Sequence, residues 1–178
     1  ELGKDESIAF FEPNRQELVE YDISKIIVSL GQRKKSKVGV LSSLPVMGPA
    51  NMSPYMMQMM RMQGKKIDPP WMIARQLQMS YDVQNLQLGV PEIPADIDFL
   101  MVIHPKNFDQ KTIFSIDQFV MRGGKLLVFV DPHCLADPPP PNPRNPRMPD
   151  MNHKAGSALN NLLVNWGAVV YSKKLTVD

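Results

Sequence analysis

Three stretches of the chain are apolar at every position rather than at alternate ones. They are Val38–Leu41, Phe99–Ile103 and Leu126–Val130. A strand has this pattern when both of its faces are covered, as in a parallel sheet with helices on either side. Tyr81–Leu88 alternates apolar and polar residues instead, which indicates a less buried strand of the same sheet. A further short strand is predicted at Ala168–Tyr171.

Between the strands, apolar residues recur at helical spacing. Ile116, Phe119 and Val120 share one helical face, and Gly123-Gly124 follows them as a left-handed stop. The predicted helices run from Asn14 to Gly31, from Trp71 to Ser80, from Asp109 or Gln110 to Met121, and from Ser157 to Trp166. This alternation of strands and helices predicts an α/β fold with a doubly wound, mostly parallel sheet.

Two segments interrupt the alternation. Residues 45–69 hold a methionine cluster, which is typical of an adaptable apolar surface, either a flap over the core or a partner-binding patch. Thioethers also bind Cu(I), but this cluster contains no histidine or cysteine, so no metal or other cofactor is predicted. Residues 137–149 are rich in proline and predict an extended loop, either a surface excursion or a partner-recognition segment.

The pattern divides the chain into two regions. We expect residues 1–35 to contain a strand at Ile8–Phe11 and an amphipathic helix, which packs on the core or links to a missing upstream domain. Residues 36–178 would form the sheet domain. The chain begins with Glu1 rather than methionine, which suggests a piece of a longer protein.

Composition adds limits rather than a function. The 178 residues are 43% hydrophobic and 21% charged, as in one ordinary globular domain. The net charge of +2 gives no electrostatic reason to expect a nucleic-acid partner. The basic run at Arg33–Lys37 fits a solvated loop, or else a contact with phosphate or lipid headgroups. The single cysteine, Cys134, permits no internal disulfide, and no apolar run approaches the ~18 residues of a membrane-spanning helix.

Polar side chains follow each of the three fully apolar strands. They are Ser42, Ser43, His104, Lys106, Asp131 and His133. Because the carboxyl ends of parallel strands meet at one edge of a sheet, these residues form a candidate ligand-binding site. The same residue types also perform acid–base and nucleophilic chemistry. However, the chain has no G-x-S-x-G elbow and no dinucleotide or phosphate-loop motif, and its histidines lack metal-ligand spacing, so no catalytic or metal site is predicted.

Five motifs in a fixed order carry a family resemblance. They are Glu20–Ile27, Val38–Pro45, Pro70-Trp71, His104–Asn107 and Ile116–Pro132. Together they resemble the soluble domain of the gliding-motility-type ABC transporter auxiliary component family, over about residues 8–137.

The resemblance implies a flavodoxin-like topology, similar to class I glutamine amidotransferases but without their catalytic cysteine. It implies a non-catalytic accessory domain on the periplasmic or extracytoplasmic face of the cytoplasmic membrane, anchored by segments absent from this chain. Its partners would be ABC permease and ATPase subunits, and it would bind a partner protein, a substrate or an envelope component. Two alternatives remain open: a sensor for a sugar or another small ligand, and a degenerate amidotransferase-like or hydrolase-like enzyme acting at the strand edge.

Overall fold

The computed structural model describes residues 13–31, 35–48, 53–64 and 69–171. Contacts divide the chain into two compact units, Glu1–Lys35 and Ser36–Asp178. In the first unit, a 3₁₀ turn at Pro13–Leu18 leads into helix α1, Val19–Gly31. The predicted strand at Ile8–Phe11 lies outside the described residues.

The second unit contains a four-stranded sheet in which every described pairing is parallel. Its strands are β1 (Lys37–Ser42), β2 (Asp82–Leu86), β3 (Phe99–Ile103) and β4 (Lys125–Phe129). Its helices are α2 (Pro54–Met62), α3 (Met72–Ser80), α4 (Gln110–Met121) and α5 (Asn160–Leu163), with a 3₁₀ turn at Val164–Trp166. The strand order β2-β1-β3-β4 is consistent with a flavodoxin-like topology, so the predicted fold class is confirmed.

Helices cover both faces of this sheet. On one face, Ile116 and Phe119 of α4 and Leu162 of α5 pack in a core cluster with Leu100 and Val102 of β3. On the other face, the neighbouring positions of the same strands pack with α3. That second cluster contains Val38, Val40, Ala74, Met101 and Ile103. Successive side chains of a strand point to opposite faces, which is why unbroken apolar runs supply two cores.

The helix α4 ends just before the two glycines, Gly123 and Gly124, as the sequence predicts. Gly123 adopts a left-handed φ of 91°, and its N–H donates to the carbonyl of Val120 at 2.9 Å. The N–H of Gly124 donates to the carbonyl of Phe119 at 2.9 Å. These two bonds form a Schellman motif, which satisfies the last carbonyls of the helix. At the other end, Asp109 caps α4 by accepting a hydrogen bond from the N–H of Thr112 at 3.0 Å.

Some predicted elements differ in the structure. The β4 strand was expected to be covered on both faces, yet Leu127 is 50% exposed and Phe129 43% exposed. The reason is the position of β4, which forms an edge of the sheet among the described residues. The strand predicted at Ala168–Tyr171 is not present. The last helix is also shorter than the predicted Ser157–Trp166.

The two interrupting segments contain regular structure that their composition did not indicate. The methionine cluster includes α2, whose N-cap Ser53 accepts a hydrogen bond from the N–H of Met56 at 3.2 Å. The proline-rich segment forms an antiparallel pair of short strands, β5 (Pro141–Asn142) and β6 (Asn145–Pro149). Both are local structures whose hydrogen bonds join residues that are close in the chain.

Candidate functional site

A cavity of about 330 Å³ lies where the carboxyl ends of β1, β3 and β4 meet the start of α3. Ligands of open α/β sheets bind beyond these strand ends, near the point where the strand order changes direction. Here that point lies between β1 and β3. The apolar part of the lining consists of Leu44, Trp71, Ile73, Ile103, Phe129 and Val130. The polar part consists of His104, Asp131 and Cys134.

The two serines at the end of β1 shape the turn rather than line the cavity. The hydroxyl of Ser42 accepts a hydrogen bond from the N–H of Leu44 at 3.0 Å. The hydroxyl of Ser43 donates to the backbone carbonyl of His104. The Ser43 bond ties the end of β1 to the end of β3, whereas the Ser42 bond stays within the turn, so both serines act on the backbone of the site.

His104 is held in an uncommon backbone conformation at the end of β3. Its φ of 51° is left-handed, which costs about 1 kcal/mol or more for a residue with a Cβ. Its N–H donates to the carbonyl of Phe129 at 2.9 Å, and its carbonyl accepts from the N–H of Lys106 at 2.8 Å. These bonds keep its imidazole at the cavity wall, with 2% of the residue exposed.

Four side chains beside the cavity form a charged group, which we call the Asp137 cluster: His104, Lys106, Asp137 and His153. Lys106 Nζ forms an ion pair with Asp137 Oδ2. His104 Nε2 lies 3.4 Å and His153 Nε2 lies 3.3 Å from the same oxygen. His153 Nε2 also lies 3.0 Å from the backbone carbonyl of Asp137. The cluster therefore fixes the start of the proline-rich segment against the end of β3.

The Asp137 cluster shifts the ionisation of its central carboxyl. Burial by itself would raise the pKa of Asp137. Hydrogen bonds from Lys106 and His104 and the charges of Lys106 and His153 outweigh burial, so the pKa lies below the ordinary value of 3.8. The carboxylate form is thus the one that this surrounding favours.

Asp131 and His133 have different surroundings although they are two positions apart. Asp131 lines the cavity, and its Oδ1 accepts a hydrogen bond from the N–H of His133 at 2.8 Å. Its backbone is tied to Ser157 by three hydrogen bonds, of 2.8 Å, 3.0 Å and 3.4 Å. His133 is exposed and is not part of the lining. Cys134 is a buried free thiol in the cavity wall.

Of the six candidate residues, the structure places His104 and Asp131 in the cavity wall and Lys106 in the Asp137 cluster. Ser42 and Ser43 support the turns, and His133 lies outside the wall. Sequence reasoning did not single out Asp137, His153, Trp71 or Phe129 as site residues. The proximity of His104 and Asp137 joins positions 33 residues apart, for which the sequence has no local signal.

The polar groups at this edge of the sheet are engaged with the backbone or with one another. Neither Ser42 nor Ser43 has a hydrogen bond to an imidazole among the described contacts. Within the described ranges, no group of three or more histidine, cysteine or acidic side chains is arranged to hold a metal ion. A mostly apolar wall with a few fixed polar groups is typical of a small-molecule pocket.

Comparison with known proteins gives one match. A family model described as an ABC-type uncharacterized transport system matches residues 35–178. No curated protein and no solved structure matches the chain.

Proposed function

The chain belongs to the family of ABC-type uncharacterized transport systems, and from this membership we propose a non-catalytic binding domain that serves transport outside the membrane. An auxiliary component of an ABC-type transport system is what the family match supports. The gliding-motility type, the amidotransferase-like topology and the extracytoplasmic location are our proposals. They rest on the five ordered motifs.

One observation carries the binding role. The cavity at the carboxyl edge combines an apolar wall with an imidazole and a carboxylate whose positions are fixed by backbone hydrogen bonds. Such preorganisation favours ligand binding because little ordering remains when the ligand enters. The serines that a hydrolase would use are engaged with the backbone instead. The proposed ligand is a small molecule with an apolar body.

The proposed partners are the permease and ATPase subunits of the transporter. In the described part of the chain, no helix is long and apolar enough to cross a bilayer. We propose that other segments of the full-length protein anchor the domain to the outer side of the cytoplasmic membrane. Protease added to intact spheroplasts should therefore cleave this domain in the full-length protein, whereas protection until lysis would contradict the location.

Trp71 offers a direct test of the pocket. The chain has two tryptophans, and the other, Trp166, donates its indole N–H to Asp117 at 3.1 Å. In a Trp166→Phe variant, Trp71 is the remaining tryptophan reporter, and we expect titration with 2-phenylethanol to change its fluorescence saturably.

A Trp71→Phe variant is the matched control, because its remaining Trp166 is not part of the cavity wall. Its fluorescence should not change with 2-phenylethanol. A saturable signal from Trp166 would contradict binding in this pocket.

The enzymatic alternative has a separate test. We expect hydrolysis of p-nitrophenyl acetate and simple amides at the same rate with the native chain as with His104→Ala and Asp131→Ala. A rate that falls in both variants would argue for catalysis at this edge and against a purely binding role.

A further inference from the structure

The lining of the cavity contains an acidic side chain that no lysine or arginine accompanies. The acidic residue is Asp131, and no lysine or arginine among the described residues lines the cavity. Lys106, which follows His104 by two residues, is paired with Asp137. An anion entering this pocket would meet a carboxylate without a compensating cation, which is unfavourable in a partly buried site.

The imidazole of His104 adds a second acceptor. Its Nε2 faces the carboxylate of Asp137 at 3.4 Å, and a carboxylate accepts hydrogen bonds but does not donate them. This contact favours the tautomer with the proton on Nε2, in which the Nδ1 atom is an acceptor. In the described structure this Nδ1 is buried and has no hydrogen-bond partner. A buried polar atom without a partner is uncommon and requires an explanation.

Two aromatic rings complete the wall. Trp71 contributes an indole at the start of α3, and Phe129 contributes a phenyl ring at the end of β4. Aromatic faces attract organic cations through their quadrupole, and tryptophan does so most strongly. Aromatic rings, a carboxylate and a nitrogen acceptor together favour a positively charged donor.

From this arrangement we propose that the pocket takes a small organic ammonium compound, with its apolar body against the wall and its N–H groups directed to Asp131 and His104. This inference rests on the proposed binding function and specifies its ligand class. The volume of about 330 Å³ lies at the lower end of ligand pockets and suits a molecule of one ring or a short alkyl chain.

Three probes of similar size and different charge test the ligand class. They are phenethylammonium, 2-phenylethanol and 3-phenylpropionate, each titrated into the Trp166→Phe protein at neutral pH with Trp71 fluorescence as the readout. We expect phenethylammonium to bind at least about fivefold more tightly than the alcohol, and phenylpropionate to bind most weakly.

Asp131→Asn then tests the source of the preference. Asparagine retains an oxygen that can accept from the N–H of His133 but removes the charge, so the affinity ratio of ammonium to alcohol should fall toward one. Asp150→Asn is the matched control, because Asp150 accepts from the N–H of Asn152 at 3.0 Å in the same kind of turn and is not part of the wall. Its ratio should equal that of the parent protein.

The outcomes separate the two proposals. Equal affinities for the three probes, tightest binding of phenylpropionate, or an unchanged ratio in Asp131→Asn would overturn the ammonium assignment while the pocket stands. Absence of any saturable change for all three probes, in protein with an unaltered circular dichroism spectrum, would overturn both the pocket and its ligand class.

Discussion

At the scale of single residues, Asp137 is the centre of the charged cluster beside the cavity, and the sequence motifs did not indicate it. It bridges Lys106, His104 and His153, which lie on separate parts of the chain. Because its pKa is lowered in the folded state, its ionisation stabilises the fold above about pH 4. This stabilisation is lost as the pH falls from the ordinary value of 3.8 toward the folded pKa.

We therefore expect Asp137→Asn to lower the free energy of unfolding at neutral pH by about 1–3 kcal/mol, because Lys106 loses a charged partner. The difference from the native protein should shrink below about pH 4, where the native carboxyl becomes protonated in the unfolded state first. Urea unfolding at several pH values measures this difference. Asp150→Asn controls for the loss of an acidic residue, and a difference independent of pH would contradict the assigned role.

At the scale of elements, the turn between α4 and β4 depends on close packing as well as on backbone conformation. A Cβ at Gly124 would overlap the ring of Phe119, which is only 1% exposed. A buried ring in a filled core cannot move without displacing its neighbours. Glycine is thus required at both positions. Gly123 has a left-handed backbone conformation, and Gly124 leaves room for the ring of Phe119.

Gly124→Ala should destabilise the protein by about 1–3 kcal/mol, the usual cost of overpacking a core. Thermal and urea unfolding measure the loss. Gly31→Ala is the control, since a Cβ there meets nothing within 4 Å and the residue has no left-handed φ. Equal stability of the two variants would show that Phe119 is able to relax away from the added methyl group.

At the scale of the whole molecule, the sheet and the cavity belong to one unit. The division at Lys35 and Ser36 leaves all described pairings of β1 to β4 in the second unit. We expect a chain that starts at Lys35 to retain a cooperative unfolding transition and the Trp71 response to phenethylammonium.

A chain that starts at Leu44 provides the contrast because it lacks β1. That strand pairs with both β2 and β3, so its removal separates the sheet and the transition should disappear. Calorimetry of the two truncated chains tests this expectation. Loss of the transition already in the chain that starts at Lys35 would mean that the sheet domain depends on the preceding residues.

The sequence by itself determined the main elements of this protein. Unbroken apolar runs fixed β1 and β3, helical spacing fixed α4, and Gly123-Gly124 fixed where α4 ends, because local backbone preference and burial act through neighbouring residues. The pattern also placed His104 and Asp131 at strand ends. Sequence patterns over a few residues are sufficient for features of this kind.

Only the tertiary structure decided the rest. The exposure of β4 depends on its place at an edge of the sheet, which no residue of the strand encodes. The Asp137 cluster and the presence of Trp71 and Phe129 in one wall depend on the meeting of residues that are distant in the chain. Such arrangements form only when the packed sheet brings the segments together.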